Sequence, residues 1–215
     1  MSAVSGRVEA TRGFYDTVAG AYARLLPDTR AEAPLDLGVI DHFVACLPAS
    51  DLPVLDAGCG TGRMLSALAA RGVSRRHGVD LSPAMIAEAR ARHAEVPLTV
   101  ADLADLPFAD RSFAGVLCWY AIIHSTPAEV AAIAAELHRV LIPGGVIALG
   151  FQAGTGERVI ERAYGHDITL HGVRHETDTV AALLSAAGFD ILVRVDRAPH
   201  GGEHSAQGFV IAARR

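Results

Sequence analysis

The chain is poor in cysteine. Cys46, Cys59 and Cys118 are the only three in 215 residues. They are odd in number, far apart and without a CxxC pair, which excludes a disulfide framework and a zinc ribbon. Basic residues are outnumbered, 19 Lys and Arg against 24 Asp and Glu, for a formal charge of −5. A general nucleic-acid binder needs a basic face to meet phosphates, so that class is excluded. Long hydrophobic runs are lacking too. The longest, "FAGVLCWYAII", has 11 residues, too few to span a bilayer. The amino terminus, "MSAVSGRVEATRGFYDTVAG", has no apolar core of signal-peptide length. Together these absences predict a cytoplasmic protein with neither nucleic acid nor membrane as partner.

What is there is ordinary in composition, 51% apolar and 20% charged, and long enough for one well-buried α/β domain. Residues 1–47 read as a helical cover, 52–151 as the core, 152–176 as a long polar loop, and 177–215 as a closing helix and two strands. In the core, strand-like runs ("LPVLDAG", "RHGVDL", "PLTVAD", "FAGVLCWY", "VIALGF") alternate with segments of helical period. Ser82 before Pro83 reads as a helix cap, and Thr126-Pro127-Ala128-Glu129 as a capping box. Strands apolar on both faces and separated by helices predict a parallel sheet covered on each side.

The stretch "VLDAGCGTGR" carries the chemistry. Gly58, Gly60 and Gly62 alternate directly after the first strand, where an open parallel sheet binds its ligands. Glycines there let a ligand lie against the backbone without Cβ atoms between. The spacing is not the GxGxxG of dinucleotide binders, and no G-K-[ST] marks a P-loop. Asp56 would repel a pyrophosphate but suits a cationic or zwitterionic cofactor. Asp80 ends the second strand, where a carboxylate can accept from both hydroxyls of a ribose. Asp102 ends the third, with Leu103 beside it to cover a flat ring. Three acids at three successive strand ends describe a pocket for a nucleoside with an amino-acid tail.

Taken in order, "VLDAGCGTGR", "GVDLSPAMIAEAR", "ADLADLPFADRSFAGVLCWYAIIH" and "ELHRVLIPGGVIALGF" resemble the successive motifs of the class I S-adenosylmethionine-dependent methyltransferases. The resemblance implies a Rossmann-like, seven-stranded, mostly parallel sheet with helices on both faces and the last strand antiparallel between the fifth and sixth. It implies S-adenosylmethionine as cofactor and S-adenosylhomocysteine as product. Asp56, Gly58, Gly60 and Gly62 would line the methionine end, Asp80 with Leu81 would hold the ribose, and Asp102 with Leu103 the adenine. Tyr15 and Tyr22, seven apart on one helix face, would aim their hydroxyls at the methionine end, or else simply pack. One landmark is missing: such enzymes often carry an acid after Phe113, and here Ala114 stands.

Methyl transfer requires alignment and exclusion of water more than acid–base chemistry. His124, just beyond the fourth strand, suits a general base; it equally suits ordering of its loop. Trp119 and Tyr120 wall the substrate side or pack against the next helix. Arg63 either meets the cofactor carboxylate or faces solvent. The pairs His171/His175 and His200/His204 have metal-ligand spacing, but glycines interrupt both, so no metal site is expected. The [ND]-P-P-[YF] motif of base-amine methylation is absent after the fourth strand. A small-molecule acceptor is therefore expected, in a protein for which a homodimer is the default assembly. Two other readings share the pocket: a non-methylating enzyme, and a non-catalytic protein that holds the cofactor or its product.

Overall fold

The chain was described as a computed structural model covering residues 3–215; the first two positions of the amino-terminal cover lie outside the described residues. Among the described residues nine strands form: β1 (Val54–Ala57), β2 (Arg76–Asp80), β3 (Leu98–Val100), β4 (Phe113–Trp119), β5 (Leu141–Gln152), β6 (Glu157–Ala163), β7 (His166–Val173), β8 (Phe189–Arg197) and β9 (Gln207–Arg214). Seven make one sheet, in the order β3-β2-β1-β4-β5-β9-β8. β1 to β5 run parallel, and β9 lies antiparallel between β5 and β8. This is the Rossmann-like sheet expected. Strand order reverses between β1 and β4, so the carboxyl ends of those two strands flank the natural binding crevice.

Six helices cover the sheet: α1 (Ala3–Leu25), α2 (Pro34–Ala45), α3 (Arg63–Ala70), α4 (Pro83–Arg92), α5 (Pro127–Val140) and α6 (Thr177–Ala186). Their starts obey the local signals. Ser82 Oγ accepts from Met85 N at 3.1 Å. Thr126 Oγ1 accepts from Glu129 N, while Glu129 Oε2 accepts from Thr126 N. Alternation along β4 sends Val116 and Cys118 toward the layer of α5 and α6, with Leu137 and Leu184. Leu117 and Trp119 face the opposite layer, with Phe43 of α2 and Leu68 of α3.

The structure departs from the sequence reading in three places. The helical start is two helices, parted by a 3-10 turn at Thr29–Ala31. β5 begins at Leu141 rather than Val146, because Ile142–Gly145 continue the strand through an irregularity in its pairing with β4. The polar stretch 152–176 is no loop. It folds as the β6–β7 hairpin, turning at Tyr164 and Gly165, both with positive φ (52° and 84°), the twist that tight hairpins demand. Ile160, Tyr164, Ile168 and Leu170 of the hairpin pack against Phe14 and Val18 of α1. Chain segments far apart in sequence thus join into one cover over the crevice.

Candidate active site

The glycine loop leaves β1 and turns under the cover. Gly58, Gly60 and Gly62 all have positive φ (78°, 52°, 83°), a conformation that L side chains rarely adopt. Their surroundings differ. A Cβ on Gly58 would collide with Ala121, and one on Gly62 would lie 2.6 Å from the His93 ring, whereas one on Gly60 would stand in open space. That space belongs to a cavity of about 510 Å³, the size of a small-molecule site. Gly58 and Gly60 line it; Gly62 does not. Gly62 lets α3 pack closely on α4, where His93 Nε2 sits 2.9 Å from the Gly62 carbonyl.

Asp80 is held from two sides. Its Oδ2 accepts from Gly60 N and its Oδ1 from Ser82 N, each at 2.8 Å. A carboxylate offers about four lone pairs, so about two remain for a ligand. Burial raises its pKa, and the Ser82 and Gly60 N–H groups oppose that shift. Leu81, Asp102 and Leu103 line the same cavity; Asp102 Oδ1 also accepts from Ala104 N at 2.9 Å, which shapes the loop carrying Leu103.

Tyr15 and Tyr22 come from α1 and face the cavity, their rings edge to face at 6.5 Å. Tyr22 also meets Tyr164 of the hairpin. The Tyr15 hydroxyl lies 2.9 Å from His124 Nε2, and His124 Nδ1 lies 2.8 Å from the His171 carbonyl. A carbonyl only accepts, so Nδ1 carries the proton and Nε2 accepts from Tyr15. Burial pushes the His124 pKa down to about 4 and the Tyr15 phenol up. His124 is therefore a neutral link between α1 and the hairpin, with both nitrogens occupied.

Over residues 54–145 the chain matches the family described as methyltransferase domain. It is 31% identical over 175 residues to a malonyl-(acyl-carrier protein) O-methyltransferase of Pseudescherichia vulneris, covering 79% of this chain and 67% of the relative. To the protein of the same name from Serratia marcescens it is 33% identical over 133 residues, 60% of this chain and 50% of the relative. The chain belongs to the S-adenosylmethionine-dependent methyltransferase family. It spans about half the length of the first curated relatives that it matches. In fold it is similar to the magnesium protoporphyrin IX methyltransferase of Synechocystis, solved with bound S-adenosylmethionine, at TM-score 0.72, 20% identity and 97% coverage of both chains.

The residues of this chain fit the family's cofactor. Asp80 keeps acceptor capacity, Gly60 opens backbone to the cavity, and the buried Asp56 Oδ2 lacks a partner. Asp56 is only 1% exposed and lies off the cavity wall. It lies beneath the loop, and burial raises its pKa to about 7 although Arg63 opposes the shift. Arg63 does line the cavity and pairs with Glu32 rather than facing solvent.

Trp119 and Tyr120 take part in both packing and lining. Trp119 stacks on Phe209 with centroids 5.2 Å apart and donates from Nε1 to Glu32 Oε1 at 3.4 Å. Tyr120 has φ 57°, a strained value for a bulky residue just where β4 meets the cavity. Several wall residues escaped the motif reading: Glu32, Asp36, Gln152, Tyr164, Glu203 and Gln207. None belongs to a short motif, and only the fold brings them together. Among the described residues, no cluster of three His, Cys, Asp or Glu is arranged to hold a metal ion, and no helix is long and apolar enough to cross a membrane.

Proposed function

We propose that this chain transfers a methyl group from S-adenosylmethionine to a small-molecule acceptor. The observation that carries the reading is Asp80, fixed by Gly60 N and Ser82 N with unused acceptor capacity facing a cavity that the glycine loop opens. When bound, the cofactor supplies an electrophilic methyl group on a sulfonium. Asp80 accepts from the ribose hydroxyls, and Leu81 covers that part of the wall. Asp102 accepts from the adenine amine, and Leu103 lies on the ring. Gly58 and Gly60 lie along the methionine portion, with Tyr15 and Tyr22 around it. Asp56 acts from beneath, where a cation above the loop favours its ionised form and is favoured by it in turn.

For His124, the general-base expectation gives way to a positioning role. A neutral imidazole with both nitrogens engaged holds the Tyr15 hydroxyl in place and ties the hairpin to β4, whose following segment also bonds the hairpin through Val173 N to Ile123 O. The cover formed by α1 and the hairpin excludes water, which suits a reaction governed by alignment. The three thiols are free, which supports a reducing, cytoplasmic setting.

Calorimetric titration tests the reading directly. Micromolar binding of S-adenosylhomocysteine with no binding of NADH is expected; folded protein that binds neither overturns it. Formation of S-adenosylhomocysteine during turnover separates methyl transfer from other uses of the pocket.

A further inference from the structure

One region of the cavity wall is acidic. Glu32, Asp36 and Glu203 line it together with Tyr120, Gln152 and Gln207. The neighbours fit together through the sheet: Gln207 of β9 stands opposite Gln152 of β5 on one side and Arg197 of β8 on the other. Three carboxylates here face two guanidinium groups, and both guanidinium groups are committed. Arg197 donates to both oxygens of Asp36 at 2.7 and 2.8 Å and to both oxygens of Glu203 at the same distances. Arg63 is bound by Glu32. The other lining cation among the described residues, Arg7, pairs with Glu157 of the hairpin through Nη2, away from this acidic region, while its Nη1 has no partner.

Two acceptors in this region are unanswered. The Glu32 side chain is 4% exposed; its Oε1 serves Arg63 and Trp119, while Oε2 has no partner. Gln207 is likewise 4% exposed. Its Nε2 donates to the Ser205 carbonyl at 2.9 Å, and its Oε1 has no partner. Buried acceptors without donors are costly and uncommon. Burial raises the Tyr120 phenol pKa, and Asp36, Glu203 and Glu32 nearby add to the shift while Arg197 opposes it.

We infer that this region receives the acceptor and that the acceptor is an amine, its N–H groups bonded to Glu32 Oε2 and Gln207 Oε1. The inference rests on the methyltransferase reading and names the substrate class for it. An ammonium satisfies both orphaned acceptors and the excess negative charge. A carboxylate acceptor, such as the malonyl group in the relatives' name, meets carboxylates here instead, with Arg63 and Arg197 already paired to them. The amine reacts as its free base, one proton having passed to solvent. Its nitrogen lone pair forms the new N–C bond as the methyl C–S bond breaks, that electron pair staying on sulfur. The products are a thioether and a methylated ammonium, so charge and atoms balance.

Trp119 is the single tryptophan of the chain and touches Glu32, so its fluorescence reads this region without turnover. Protein saturated with S-adenosylhomocysteine is titrated with phenethylamine, 2-phenylethanol and 3-phenylpropanoate, probes of one shape and three charges. Phenethylamine is expected to bind about tenfold tighter than the other two, the discrimination that one charge-assisted hydrogen bond supplies. Glu32→Gln should abolish that preference. Gln207→Leu, which removes the second acceptor and leaves the Arg63 pair intact, should weaken amine binding severalfold. Equal or tighter binding of the alcohol or the acid, no binding of any probe, or an undiminished preference in both folded variants overturns the inference. Failure of S-adenosylhomocysteine to saturate the protein, measured first, is a different result and overturns the methyltransferase reading instead.

Discussion

Asp56 and His124 are both buried, and burial acts on them with opposite signs. An unfolded aspartate titrates near 3.9, while Asp56 in the fold titrates at about 7. The native state therefore binds more protons between those values, and stability falls as pH rises through the window, by on the order of 4 kcal/mol at its end. Asp56→Asn should melt higher than the parent at pH 8 and equal it near pH 4. The reverse order at pH 8 would mean that a partner already compensates the carboxylate. His124 titrates at about 4 instead of 6.5. Its contribution is complete above pH 6.5 and is lost as pH falls toward 4, on the order of 3 kcal/mol. In His124→Asn that acid-side slope should shrink, as seen by calorimetric melting between pH 7 and pH 4.5. For Asp80→Ala, about 2–3 kcal/mol of ligand bonding disappears, and the Kd for S-adenosylhomocysteine should rise about 30-fold or more. Unchanged affinity in folded protein refutes the ribose assignment.

At the scale of elements, Gly62 sets how closely α3 approaches α4. Gly62→Ala adds a Cβ 2.6 Å from His93 in a left-handed conformation; a loss on the order of 1–3 kcal/mol of stability is expected, read as a lower urea midpoint. Because Gly62 lies off the cavity wall, a large loss of ligand affinity at full folding would contradict its placement. Elements with strong local punctuation were legible beforehand: α4 from Ser82-Pro83, α5 from its capping box, and β1 and β4 as buried apolar runs before polar turns. The β6–β7 hairpin was not. Its strands are largely exposed and mix charged with apolar residues, and its Tyr-Gly turn lacks the usual Asn-Gly signature. The start of β5 was hidden by Pro143, which reads as a break. The cofactor side of the cavity could be read because it follows three strand ends in sequence order. The acceptor side could not, since Glu32, Gln152, Glu203 and Gln207 meet only through the sheet and the turn before α2.

For the whole molecule, the cavity joins segments from α1 to β9, so a ligand there holds the entire fold together. At a ligand concentration of about 100 Kd, linkage adds about 2.7 kcal/mol. In a chain of this length that corresponds to roughly 5–11 °C in Tm. S-adenosylhomocysteine should raise the melting point by that amount in one cooperative transition. A shift confined to part of a biphasic melt would show that the cover unfolds apart from the sheet. The position of β9 also bears on time. It follows β8 in the chain, yet it occupies the interior of the sheet, bonded to β5 on one side and β8 on the other. A nascent chain can lay down five parallel strands as they emerge, but β8 has no neighbour until Gln207–Arg214 arrives between it and β5. Gln207, at one wall of the cavity, arrives in the same step. The chamber is therefore complete only once β9 has entered the sheet, and until that step β5 and β8 each present an open edge.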